Sequence, residues 1–194
     1  MLAGLTGNFG SGKSTVLELF RRAGAVVVDS DEIVRILYEK DDVKREVVEI
    51  LGDVLKKDGS VDKAKIAYLI FTNALLKKNL EVLIHALVFS EIESIVRKNP
   101  HKVVIAEIPL LFESSYHPMV DAVILTTCSR ETIFERLRKK GYTDAEIEER
   151  LSNQMPDADK IHQADFVINT EGSPDQIKKQ AKSIYTSLLA RLKD

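Results

Sequence analysis

Gly7-Asn8-Phe9-Gly10-Ser11-Gly12-Lys13-Ser14-Thr15 fits the pattern G-x-x-x-x-G-K-[ST] without a mismatch. Its flanks fit as well. Residues 2–6 (LAGLT) are a short apolar run that predicts a strand. Residues 14–23 (STVLELFRRA) predict a helix with Val16, Leu17, Leu19 and Phe20 on one face. A glycine-rich loop between a strand and a helix aims several backbone N–H groups at one point, at the positive end of a helix dipole. That arrangement cradles the phosphates of a nucleotide. Gly7, Gly10, Ser11, Gly12 and Thr15 are the expected cradle. Lys13 is expected to reach the β- and γ-phosphates, and the Ser14 hydroxyl to ligate Mg²⁺.

Four further runs read as strands: 25–29 (AVVVD), 102–107 (KVVIAE), 122–126 (AVILT) and 165–169 (DFVIN). They are short, β-branched and continuously apolar, as in a parallel sheet buried on both faces. Helical segments separate them. Ser129 with Glu131 starts one helix, Thr143 with Glu146 forms a capping box for another, and Ser173-Pro174-Asp175-Gln176 opens the last. Strands alternating with helices around such a loop predict an α/β fold with a doubly wound, parallel, five-stranded sheet of the P-loop NTPase type. Residues 41–99 break the rhythm with an almost wholly helical pattern and a turn at Gly59. An insertion there would lie over the C-terminal edge of the strands, either as a packing subdomain or as a helical module for a second substrate. The predicted organisation is a single domain over 1–194. Its core is 1–40, 100–128 and 164–194, its helical insertion 41–99 and its lid 129–163.

Composition narrows the class. A formal net charge of −2 gives no strong field for nucleic acid or a membrane surface, and neither partner is expected. Cys128 is the single cysteine, so no internal disulfide can form and a reducing, cytoplasmic setting is expected. Met1 leads directly into the first predicted strand, so no signal peptide is expected. No apolar run is long enough to span a bilayer. The sequence lacks the D-x-x-G and N-K-x-D motifs of GTPases and an L-S-G-G-Q-like segment. The Asp-Glu pair of motor ATPases has only Glu107, followed by Ile108, as a counterpart. A small-molecule kinase fits what remains, with a non-catalytic nucleotide-binding module as the rival from another class.

Asp29 and Asp31 follow the second predicted strand in VVVDSDEI, at the edge that neighbours the phosphate loop in such sheets. Two roles fit Asp31: a carboxylate that takes the proton of an acceptor hydroxyl, or the start of the next helix. Asp29 could orient a Mg²⁺-bound water or neighbouring groups. Residues 132–154 carry Arg136, Arg138, Lys139, Lys140 and Arg150 around Gly141-Tyr142. This is the pattern of a basic helical hairpin closing over a nucleotide. Most of these charges also suit a solvated face with i,i+4 pairing. Arg136 and Arg150 are the two expected to meet phosphate.

These segments together resemble the dephospho-CoA kinases, nearly end to end. The resemblance runs through GLTGNFGSGKSTV, VVVDSDEIVR, DGSVDKAKIAYLIF, LIHALVFSEI, AEIPLLFES, ERLRKKG, ERLSNQM and ADFVINTEGS. The DSD after the second strand, the IPLLFE segment and the Gln154-to-Ala164-Asp165 spacing are the specific parts. The resemblance implies transfer of the γ-phosphoryl group of ATP to the ribose 3′-hydroxyl of dephospho-CoA, the final step of coenzyme A synthesis. It implies Asp31 as base, Lys13 as P-loop lysine and Arg136 as a lid arginine. His85, Pro109, Leu110 and Leu111 would lie on the acceptor side. The chain departs from the family's usual residues at Ala86 (Pro), Phe89 (Arg) and Glu107 (Asp). His101, His117 and His162 lack metal-ligand spacing.

Overall fold

The strands form on short runs of mostly apolar residues, and the helices where polar residues punctuate apolar ones at a period near 3.6. The computed structural model describes residues 1–193. In chain order, β1 (Leu2–Gly7) leads to α1 (Lys13–Ala23) and β2 (Val26–Asp29). Then come α2 (Ser30–Leu37), α3 (Asp41–Leu51), α4 (Lys63–Thr72) and α5 (Ala74–Lys98). β3 (Val104–Glu107) and β4 (Ala122–Thr127) follow, then α6 (Arg130–Arg138), α7 (Asp144–Ser152) and α8 (Asp157–Ile161). β5 (Phe166–Asn169) and α9 (Pro174–Arg191) complete the order.

The strands make one parallel sheet in the order β2-β3-β1-β4-β5. All six β1 residues are buried, which explains why that strand is apolar throughout rather than alternating. The register pairs Asp29 with Glu107, Leu5 with Glu107, Gly7 with Thr126 and Thr127 with Asn169. One C-terminal edge therefore carries Asp29, Glu107, Gly7, Thr126 and Asn169. From β1 the chain crosses through α1 to β2 and β3 on one side, then returns to β4 and β5 on the other, so the loop after β1 opens at the topological switch point.

The chain divides into two compact units, residues 1–29 with 95–194 and residues 30–94. In the first, Val16, Leu17 and Phe20 of α1 join Ile177, Ala181, Ile184 and Leu188 of α9 over Leu5, Ile105, Ile124 and Ile168 of the sheet. A smaller cluster of Ile133, Leu137 and Ile147 ties α6 to α7, with Phe9 and Tyr142 packed against it. The second unit runs from α2 to most of α5. It buries Val43, Val47, Leu51, Val54 and Ile66, and a short antiparallel bridge, Leu55 to Val61, closes around Gly59.

Element ends differ from the sequence reading by a residue or two, for local reasons. The 25–29 run loses Ala25, whose N–H bonds the Phe20 carbonyl at the end of α1. The 102–107 run loses Lys102 and Val103, because Lys102 closes a turn onto Asn99. Both capping boxes expected from sequence, at Thr143 and Ser173, are formed.

Candidate active site

Two close contacts shape the phosphate loop. A Cβ on Gly7 would lie 2.3 Å from Thr126 Oγ1 and 2.4 Å from the Thr126 carbonyl, so only glycine lets β1 leave the sheet here. Ser11 is fully buried, and its Oγ sits 2.7 Å from Thr126 Oγ1. Thr170 donates from Oγ1 to the Ser11 carbonyl at 2.8 Å, and the Ser11 N–H donates to the Asn8 carbonyl at 3.0 Å. Ser11 thus holds the loop onto the ends of β4 and β5 from beneath.

At its exit the loop reaches Gly12, whose φ of 93° is the left-handed region that favours glycine. Gly12 is the N-cap of α1 and carries no side chain with which to cap it, whereas Ser129 and Thr143 cap α6 and α7. Exposed Ser14 and Thr15 stand in the first turn of α1. Lys13 Nζ donates to the Gly7 and Asn8 carbonyls at 2.8 and 3.1 Å, so its side chain lies along the mouth of the loop. A helix N-terminus with a lysine beside it forms a site for multiply charged anions.

The α6–α7 hairpin meets this loop directly. Arg136 donates to Thr170 Oγ1 at 2.9 Å and to its carbonyl at 2.6 Å, and approaches the Gly10 carbonyl at 3.5 Å. Arg150 stacks over Phe9 at 4.8 Å and over Tyr142 at 5.2 Å, and those two rings meet edge to face. Three other basic residues here have surface partners: Arg138 pairs with Asp144, Lys139 with Glu135 and Arg130 with Glu148. Burial raises the Cys128 thiol above its ordinary pKa against the opposing pull of Arg136. A cleft of about 530 Å³ opens beside the loop, lined in part by Asn8, Cys128, Gln154 and Asp157.

The remaining residues singled out in the sequence lie as follows. Asp29 ends β2, exposed, in register with buried Glu107. Asp31 is exposed in the first turn of α2, two residues past the strand. Pro109 accepts from Thr6 Oγ1 through its carbonyl. Leu110 is exposed, but Leu111 is in the core, against Gly4. His85 is half-buried on α5 in the second unit, and burial holds its imidazole below its ordinary pKa, opposed by Glu81 one turn earlier.

Several residues around the loop carried no sequence signal: Thr126, Thr170, Asp157 and Lys160. Lys160 is fully buried, with Nζ 2.9 Å from Asn8 Oδ1 and 2.9 Å from Glu113 Oε1. Asp157 keeps a buried Oδ1 without a hydrogen-bond partner. Burial raises its pKa, offset in part by Lys160 and Lys13. A lysine in ADKIHQAD looks like any surface lysine, because its burial is made by segments distant in the chain.

The family model described as dephospho-CoA kinase matches residues 1–176. The chain belongs to the dephospho-CoA kinase family. A dephospho-CoA kinase of Aquifex aeolicus is 36% identical over 188 residues, covering 95% of this chain and 96% of the relative. The solved structure of TT1252 from Thermus thermophilus superposes with a TM-score of 0.85 at 28% identity, covering 97% of each chain. A dephospho-CoA kinase from Campylobacter jejuni superposes at a TM-score of 0.70 and 24% identity, covering 98% of each, which speaks to the fold. In this member of the dephospho-CoA kinase family, the loop, α1 and the basic hairpin gather at one end of the sheet. Among the described residues, no helix is long and apolar enough to cross a membrane.

Proposed function

We propose that the chain transfers the γ-phosphoryl group of ATP to the ribose 3′-hydroxyl of dephospho-CoA, giving coenzyme A and ADP. One observation carries the nucleotide half. The N-terminus of α1, Lys13 and two arginines of the hairpin converge on a loop at the switch point of a parallel sheet. Family membership carries the acceptor.

In this reading the backbone N–H groups of Gly10 to Thr15 and the Lys13 ammonium bind the β- and γ-phosphates. Arg136, fixed by Thr170, and Arg150, stacked on Phe9, add positive charge where negative charge spreads in the transition state. Asp31 takes the proton of the 3′-hydroxyl as its oxygen attacks the γ-phosphorus, and the bond to the β-phosphate oxygen breaks to leave ADP. Asp29 orients groups beside it.

The donor set fits Mg²⁺. Among the described residues, no group of three or more His, Cys, Asp or Glu could hold a metal ion. Ser14 is exposed at the head of α1, where its hydroxyl would share the ion with phosphates and water, the usual mode for this cation. Bound there, Mg²⁺ neutralises phosphate charge. The acceptor is taken by the helical unit, with His85 near its polar part, and by the turn at Pro109, Leu110 and Leu111. Residues 129–163 act as the lid. The setting is cytoplasmic.

A coupled ADP-release assay with dephospho-CoA and a panel of other hydroxyl acceptors tests this. ADP release with dephospho-CoA alone is expected. Transfer to another acceptor in its place would reassign the substrate. Nucleotide binding without transfer to any acceptor would make the chain a regulatory module.

A further inference from the structure

Lysine is almost never fully buried unless it is paired, and an ion pair rarely repays the desolvation of both charges. Lys160 is fully buried on the five-residue helix α8, and its partner Glu113 is not fully satisfied. Glu113 Oε1 takes Lys160 Nζ at 2.9 Å and the Met155 N–H at 2.8 Å, but its buried Oε2 has no hydrogen-bond partner. An apolar pair of similar volume would serve stability at least as well. The residue at the other end of the Lys160 ammonium suggests what else it does.

That residue is Asn8, at the apex of the phosphate loop. Its side-chain Oδ1 accepts from Lys160, while its carbonyl accepts from Lys13 Nζ at 3.1 Å and from the Ser11 N–H at 3.0 Å. Next to it, the Phe9 N–H donates to Gln154 Oε1 at 2.7 Å. The connection from α7 to α8 and α8 itself thus each grip the phosphate loop through one side chain, Gln154 and the charged Lys160. Glu113, behind the turn after β3, anchors the charged one.

We propose that Lys160 is a positioning residue for phosphoryl transfer, fixing Asn8 and through it the Lys13 and Ser11 groups of the phosphate loop before nucleotide arrives. The proposal rests on the loop being the nucleotide site, so its test reads nucleotide affinity and needs no acceptor. The probe is a non-hydrolysable ATP analogue with Mg²⁺, titrated calorimetrically, beside a melting curve for each variant.

Asn8→Ala keeps the ion pair and should weaken binding about tenfold or more, the usual worth of a hydrogen bond to a charged group, with little change in Tm. Lys160→Met should weaken binding equally and also lower Tm, because it strands Glu113. The two effects on affinity should not add when the substitutions are combined, since both act through one contact. Lys160→Met/Glu113→Leu leaves no stranded charge. It should recover the Tm and still bind weakly. Wild-type affinity in that double variant, or in Asn8→Ala, would reduce Lys160 to a structural ion pair and overturn the proposal. Additive effects of Asn8→Ala and Lys160→Met would overturn it too. If Lys160→Met does not fold, the charge-free double variant and Asn8→Ala decide. Failure of the unmodified protein to bind the analogue would instead sink the nucleotide-site reading.

Discussion

Asp31 stands two residues beyond the end of β2, in the first turn of α2, where an acidic side chain also suits the helix dipole. The two roles separate on Asp31→Asn. Asparagine starts a helix about as well as aspartate, but cannot accept the hydroxyl proton. The expected result is a fall in kcat of about 10²-fold or more with ATP affinity nearly intact, measured by steady-state kinetics and nucleotide titration. An unchanged kcat would leave Asp31 a helix-starting residue only. Asp157 behaves in the opposite sense. Its folded carboxyl titrates above the ordinary 3.8 because burial outweighs the attraction of Lys160 and Lys13. Between those two pKa values the folded state holds the extra proton, so stability falls as pH rises through the folded value and the penalty is complete above it. Asp157→Asn should therefore raise Tm at neutral pH, and the gain should vanish below pH 3.8 in melting curves taken across pH. At this scale the loop was legible because its chemistry is local: glycines, a lysine and a hydroxyl at fixed spacing. Lys160 and Thr170 were not, since their roles come from neighbours 152 and 159 residues away in the chain.

The α6–α7 hairpin is a small element with its own apolar cluster, joined to the phosphate loop through Phe9, Gln154 and Arg136. A small, separately packed segment exchanges its amide hydrogens through local opening. ATP analogue and dephospho-CoA together should raise protection across residues 132–154, as Arg136 and Arg150 engage phosphate oxygens. Unchanged exchange with both ligands present would make the hairpin a fixed part of the scaffold. Helix starts were readable in advance because capping is a local code. Thr143 with Glu146, and Ser173 with Gln176, each satisfy backbone donors within a single turn. Strand ends were less readable. Whether Ala25 or Lys102 joins a ladder depends on which carbonyl competes for its N–H, and in both cases a nearby turn prevails.

At the scale of the whole molecule, five short apolar runs announced a parallel sheet, yet their order could not be read from them, because pairing is decided by the crossovers. The helical unit is where the acceptor prediction belongs. His85→Ala should raise the KM for dephospho-CoA by more than it raises the KM for ATP, with Tm little changed. A lowered Tm with both constants unmoved would mark His85 as a packing residue of that unit, in keeping with its half-buried, pKa-lowering surroundings. The ties beneath the phosphate loop bear on biosynthesis of the protein itself. Ser11 leans on Thr126, 115 residues later, and on Thr170, 159 residues later, while β1 finds its partners only in β3 and β4. On a translating ribosome the loop emerges early but lacks both supports until most of the chain has been made. A polypeptide stalled or truncated before Thr170 would display the nucleotide-binding motif in full and have no formed cradle with which to hold a nucleotide.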